Sequence, residues 1–394
     1  MKKNSKGNLL LTFIILIALT MTIFSFLSIT GVRVKESGVK VTEYDSFYIA
    51  EAGLNKAMWY LGTPVIEGGK GFYWRATNFY EAYGWGGYYL TVLDTEVSGE
   101  VLIIATGEAG GSTKNISQVV EIGGLPQVFD YAVFNNAGIN MSGNAEIDGS
   151  IFINGNTHFS GSATVTDGSV YHPLGTTITG GGTYTDGGEP TPVPTFPSFD
   201  TSYYSGLISA AGGVSAGDLE YKNTTVNLDG ATIYVNGDIK VSGTTTFNGP
   251  GIVVATGNIE MSGSTYSTES VKFISNGVIS MSGNSYTSGA TFYSSSSIAA
   301  SGTYRINTGC MLTHGNLDIS GNVNVSGMLF AVGQISLSGN PVISGSMVSG
   351  ALQGVTGLSG NTRITYDESM LPEQLPPGFS PTSVTRVKGT WKEN

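Results

Sequence analysis

The side chains able to do acid–base chemistry are few in this chain and lie far apart. Its Gly- and Ser-rich second half scatters Lys240, Glu260, Glu269, Lys272, Arg305, Asp318 and Arg363 along the sequence. Cleaving a glycosidic bond needs two carboxylates, or a carboxylate and an Arg, converging on one spot. Glu260 and Asp318 each follow an apolar residue of a recurring phrase, which turns both outward on one face, three repeats apart. At the ~4.8 Å between neighbouring strands they stand about 14 Å apart, too far to cooperate. His158, His172 and His314 lack metal-ligand spacing and read as isolated surface or corner residues. GxSxG, P-loop and HExxH patterns do not occur. Asp148-Gly149 and Asp167-Gly168 are turn dipeptides, without the Gly-Gly-x-Gly-x-Asp repeat of a calcium roll. Cys310 is the single cysteine, which excludes an intramolecular disulfide or a CxxC redox pair. Its position inside a repeat suggests a small buried residue. These observations predict a protein that is not an enzyme and takes no cofactor or metal. The alternative is an envelope-anchored carbohydrate-active enzyme built on a β-helix.

The recurring phrase fixes the architecture that carries these residues. GNIEMSGSTYS at 257–267 returns as GVISMSGNSYT at 277–287. Its first apolar residue falls at Ile239, Ile259, Ile279, Ile298, Leu317 and Ile335. Two positions later come Val241, Met261, Met281, Ala300, Ile319 and Leu337. A Ser-Gly pair follows each, its glycines spaced by 20, 20, 19, 19 and 18 residues. That period is too short for a helical hairpin and suits one coil of a β-solenoid. Alternation of apolar and polar residues turns every second side chain inward, so stacked coils align these twelve residues as continuous core columns. Gly, Asn and Ser serve the corners. The sequence thus predicts a mainly β fold with a parallel, right-handed β-helix.

The chain of 394 residues has 57 glycines, 12% charged residues and a net charge of −11. Low charge argues against charge-rich disorder, and the acidic balance gives no general reason to bind nucleic acid. The front differs sharply. Asn8–Thr30 holds 23 residues without a charge, enough at 1.5 Å per residue to span roughly the ~30 Å of a bilayer core. Without an A-x-A-like cleavage site, an uncleaved membrane anchor fits better than a removed signal peptide. Lys2, Lys3 and Lys6 on one side balance Arg33, Lys35 and Lys40 on the other, so positive charge orients the span weakly. Proline is missing from Asn8 to Leu61, and Val41, Tyr44, Tyr48, Leu54, Met58 and Leu61, with Phe47 and Ala57 alongside, read as an apolar stripe. Gly62 and Pro64 stop the helix.

A leader ending in Gly7, the apolar segment and SFYIAEAGLNKAMWYL at 46–61 together resemble the N-terminal module of PilX-type type IV pilus assembly proteins, which are minor-pilin relatives. The most specific part is Ala50-Glu51-Ala52-Gly53-Leu54. The resemblance implies prepilin peptidase cleavage between Gly7 and Asn8, and helices that bundle into a filament core. Thr12 stands where major pilins carry a glutamate. Taken alone, Ala50–Leu54 is an ordinary helix segment; its small residues also suit close helix packing. The resemblance extends through ATGEAGG, over about the first 125 residues.

The remaining organisation follows from turn signals. Leader 1–7 and helix 8–62 precede a pilin-like meander at 63–125, with strands expected at 88–94, 100–108 and 116–124. The aromatic cluster at 63–87 reads as cover for a sheet. First solenoid coils occupy 126–180, a Pro-rich excursion 181–222, the main β-helix 223–366, and a tail or cap 367–394. The run 383–391 is expected either to return to the meander or to close the solenoid end. The implied protein is a single-pass, non-enzymatic envelope component, mostly extracytoplasmic, with the solenoid directed outward for adhesion or spacing. Its partners would be membrane, pilus or pseudopilus subunits, prepilin peptidase and surface glycans, with no nucleic acid. A membrane scaffold whose solenoids polymerise end to end is a further alternative.

Overall fold

The computed structural model describes residues 5–63, 68–70, 74–95, 97, 100–123, 125–268, 270–351, 355–372, 376–379 and 383–393. Glu269 and the first four leader residues therefore lie outside the described residues. The chain forms two compact units.

The first unit holds helix α1 (Ser5–Gly62) and an antiparallel sheet. Strands β1 (Ala76–Tyr83), β2 (Gly86–Asp94), β3 (Glu100–Ala109) and β4 (Ser112–Gly123) follow one another across it. Strand β3 alternates without a break, burying Val101, Ile103 and Ala105, as a sheet with one face on a core must. The tail adds Ser383–Arg386 beside β4. Gln118, buried on β4, donates to the Val387 carbonyl at 2.9 Å and fixes that addition. Residues 76–83, expected to cover a sheet, are instead its edge strand. Aromatic residues favour the pleat, and Phe79 and Trp74 pack edge-on against Tyr60 of α1 at 6.0 and 5.2 Å.

In the second unit, parallel strands stack into a β-solenoid of about 12 turns. Each rung has three strands: Ile259–Met261, Ser264–Ser267 and Val271–Ser275 form one, and Ile279–Met281, Asn284–Ser288 and Thr291–Ser294 the next. Ile239 pairs with Ile259, Ile259 with Ile279, and Ile279 with Ile298, so like side chains stack into columns. The Ser-Gly glycine makes the first corner. Its φ runs from +63° at Gly243 to +100° at Gly283, a left-handed conformation that other residues rarely adopt.

Rung order in space is a rotation of rung order in the chain. Val133–Asn135 pairs with Met347–Ser349, Gly138–Met141 with Val355–Leu358, and Glu146–Asp148 with Arg363–Thr365. The chain therefore enters the solenoid at an interior level and winds outward as far as Asp186–Gly188. It then crosses to the other end and winds back from Leu219 to Thr365, where it meets its own beginning. At that far end a parallel bridge from Ala216 to Asn236 precedes the first strand, Leu219–Lys222, in which Leu219 and Tyr221 already alternate inward.

The crossing segment is more than an extended excursion, since it contains helix α2 (Ser202–Gly212). Tyr204 of α2 is fully buried and stacks on Tyr293 with ring centroids 3.6 Å apart. Phe196 and Phe199 lie on Phe330 at 5.4 and 5.0 Å. The outward rings of Phe134, Tyr293 and Phe330, on the third strands of their rungs, are covered in this way.

Candidate interaction surfaces

Helix α1 changes character along its length. From Leu11 to Val34 its apolar side chains are exposed on every side, with Phe24 74% exposed. The most apolar 18-residue window reaches a mean hydropathy of 2.3, and none of it is buried within the protein. Hydroxyls in this stretch bond back to their own helix: Thr20 donates to the Leu16 carbonyl and Ser25 to that of Met21, each at 2.9 Å. Thr22 and Thr30 do the same toward Ala18 and Phe26. Such local satisfaction lets polar residues stand in surroundings without water. Gly7 and Asn8 lie in the first turns of α1.

Further along, Ser46, Ile49, Ala50, Leu54, Ala57, Tyr60 and Leu61 are buried. Of the stripe read from the sequence, Leu54, Ala57 and Leu61 thus pack, whereas Val41, Tyr44 and Tyr48 are 55%, 64% and 63% exposed. Small residues decide the matter. A Cβ on Gly53 would stand 2.8 Å from the Tyr88 ring, and one on Gly107 of β3 only 2.0 Å from the Ser46 carbonyl oxygen. Helix and sheet approach closely along Ser46, Ala50, Gly53 and Ala57, and bulkier Tyr44 and Tyr48 are left outside. Within the motif, Ala50 and Leu54 are fully buried, Gly53 is buried, and Glu51 and Ala52 are half-buried. A groove of about 580 Å³ opens between α1 and the β1–β2 turn, lined by Asp45, Tyr48, Glu51, Asn55, Tyr83 and Trp85.

The solenoid interior takes Ile239, Val241, Ile259, Met261, Ile279, Met281, Ile298, Ala300, Leu317, Ile319, Ile335 and Leu337, none more than 1% exposed. Cys310 is buried too, which pushes its thiol up to about 12. One stretch of interior is polar: the hydroxyls of Thr265, Ser267 and Thr287 are buried without a hydrogen-bond partner.

Outside, the rungs present two uncovered strand faces. On the first, Glu260, Ser280, Ala299 and Asp318 form one row, so the two carboxylates are separated by two intervening rungs. A hollow of about 670 Å³ with mixed charge, including Asp218, Glu220, Asp238, Lys240 and Glu260, lies at the far end of that face. On the second face Thr246, Tyr266, Tyr286, Arg305 and Asn324 form a row. Arg363 pairs with Glu146 at 2.6 Å. His172 contacts Asp186 at 3.1 Å, and His158 contacts Thr179 at 3.0 Å. The Asp186 carboxyl is held below its usual range, chiefly by the Gly188 backbone N–H. Among the described residues no three His, Cys, Asp or Glu side chains group as a metal site would. The tandem tyrosines stand in the repeat at 266 and 286, twenty residues apart, a signal that sequence reading could have used.

No family model matches the chain, and neither does any curated protein. Among solved structures, the competence-associated pilin ComZ from Thermus thermophilus is similar at 15% identity, covering 90% of this chain and 97% of that one with a TM-score of 0.26. The ice-binding protein LeIBP from an Arctic yeast is similar at 14% identity, covering 64% of this chain and 94% of that one with a TM-score of 0.23. At these scores the likeness assigns neither a site nor a partner to this chain.

Proposed function

We propose that the chain is a non-enzymatic structural protein of the cell envelope, a minor pilin-like component carrying an outward β-solenoid for adhesion or spacing. The observation that supports this most is the division of α1. Its first half exposes Leu11, Phe13, Ile14, Phe24 and Phe26 to whatever surrounds it, and its second half is locked onto an antiparallel sheet by Ala50, Gly53, Leu54 and Ala57. Only lipid or other apolar helices cover such a first half favourably, because each exposed Leu, Ile or Phe forgoes about 1.5–3 kcal/mol of burial. The same helix therefore serves a membrane anchor before assembly and a helical bundle after it. Prepilin peptidase cleavage between Gly7 and Asn8 belongs to this reading.

N-terminal sequencing of the protein purified from its native envelope tests it. A mature chain starting at Asn8 is expected. An intact Met1 would remove the pilus pathway and leave a plain anchor. The non-enzymatic part is tested separately, by incubating the chain with polysaccharides; released oligosaccharide would overturn it.

A further inference from the structure

We propose that the outward row Tyr266–Tyr286–Arg305 is a binding site for acidic glycans, pyranose chains bearing carboxylates, a ligand assignment that rests on the envelope reading above. Tyr266 pairs in register with Tyr286, and Tyr286 with Arg305, on three successive rungs. The row therefore runs roughly 10 Å along the solenoid axis. Both tyrosines are 40% exposed.

Their placement contrasts with the other rings of these rungs. Phe247, Phe273, Phe292 and Tyr304 face inward and are buried, and Tyr293 lies beneath α2. Neighbouring rungs fill the same outward position with Thr246 and Asn324. Two exposed rings at successive levels offer apolar surface that the C–H face of a sugar can cover. Flanking outward residues Asn284, Ser288, Thr303 and Asn324 supply amides and hydroxyls for the sugar's own hydroxyls.

Charge selects the ligand class. Arg305 is exposed and makes no ion pair among the described residues. The strands Ser264–Ser267, Asn284–Ser288 and Thr303–Thr313 contain no Asp or Glu. An unpaired guanidinium at the end of an aromatic platform offers a carboxylate a forked pair of N–H donors. On a chain of net charge −11, the one charge carried by these three strands is positive, and it favours a ligand that brings a negative charge next to a stackable ring.

The test uses the detergent-solubilised full-length chain with polygalacturonate and its neutral methyl ester as probes, measured by calorimetry at low salt. The wild type is expected to bind the acid form in preference to the ester. Tyr286→Ala should weaken that binding roughly tenfold, and Tyr286→Phe should retain it. Arg305→Gln should erase the preference between acid and ester. No binding by the wild type, equal binding of the two polymers, or an unchanged affinity in Tyr286→Ala would overturn the site. Thermal melts of each variant separate lost binding from lost fold, and Tyr286→Phe keeps the question open to a decision if the alanine variant melts early. A mature terminus at Asn8 without polymer binding sinks the ligand alone. An intact Met1 with polymer binding retained sinks the pilus reading and leaves the site standing.

Discussion

The side-chain amide of Asn144 donates to that of Asn361 at 3.0 Å, joining residues 217 positions apart in the chain. Asn361 in turn donates to Asn340 at 2.8 Å, and Asn340 to Asn322 at 3.0 Å. This amide ladder crosses the level at which the first coils of the chain stack on the last. Backbone bonds run beside it, from the Met347 N–H to the Ala132 carbonyl at 3.0 Å and from the Tyr366 N–H to that of Asp148 at 2.8 Å. The junction is thus paired like any other rung. A strand edge that would otherwise stand open is closed by the protein's own beginning.

Hydrogen exchange should reveal this order. Amides of Val133–Asn135 and Met347–Ser349 belong to interior rungs and should exchange among the slowest. Those of Leu219–Lys222 and Ile178–Gly180, on end rungs, should exchange first. Exchange at 133–135 as fast as at a free edge would contradict the rotated stacking.

Gly283→Ala should destabilise the solenoid by more than ~2 kcal/mol, read as a lower urea midpoint. The added Cβ would sit 2.2 Å from the Gly263 carbonyl oxygen, at a φ of +100°. Gly357→Ala, with nothing within 4 Å of the new carbon, should shift stability by no more than about 0.5 kcal/mol. Equal effects at the two sites would remove the corner argument.

Ser267 and Thr287 occupy one interior column, between Phe247 and Ile306. Their hydroxyls are buried and unpartnered, so Ser267→Ala and Thr287→Val should each stabilise the fold by about 1 kcal/mol. A loss of stability of similar size would mean that the hydroxyls hold an internal water.

Cys310 reports on the opening of its rung. Burial raises its thiol from an ordinary 9.0 to about 12. A raised value in the folded state contributes stability that is complete below 9.0 and declines as pH rises from there toward 12. The native chain should therefore resist iodoacetamide at pH 8 and react on unfolding. Cys310→Ala should lessen the alkaline part of the stability loss. Rapid labelling of the native chain would place Cys310 outside the core.

Much of the fold was legible. The Ile and Met columns followed from the period of 18–20 residues, because a strand's alternation and a constant rung length leave one inward register. The glycine corners were legible for a similar reason, since left-handed backbone excludes most other residues. Strand β1 was hidden by its aromatics, which suit a covering layer as well as an edge. Helix α2 was hidden among prolines and a central Gly206, and it is held by the stacking of Tyr204 on Tyr293. The packed face of α1 was read in part: Leu54, Ala57 and Leu61 of the stripe are buried, but hydrophobicity also marked Val41, Tyr44 and Tyr48, where close contact with the sheet runs instead along the small Ser46, Ala50 and Gly53.

The sequence by itself determined that a long apolar helix precedes a stack of repeated parallel rungs, because periodicity and backbone stereochemistry are local. It stacked successive repeats in chain order but did not determine where the first coils join the stack. The rung edge at either end of the main repeat offers a row of N–H and C=O groups, so the repeat alone carries no preference between them. Only the folded whole, by pairing Glu146 with Arg363 and Ile139 with Thr356, decided that the beginning of the solenoid rests on its end. The row of Tyr266, Tyr286 and Arg305 is of the other kind, since their spacing of 20 and 19 residues matches the repeat and stacking of successive rungs makes them neighbours.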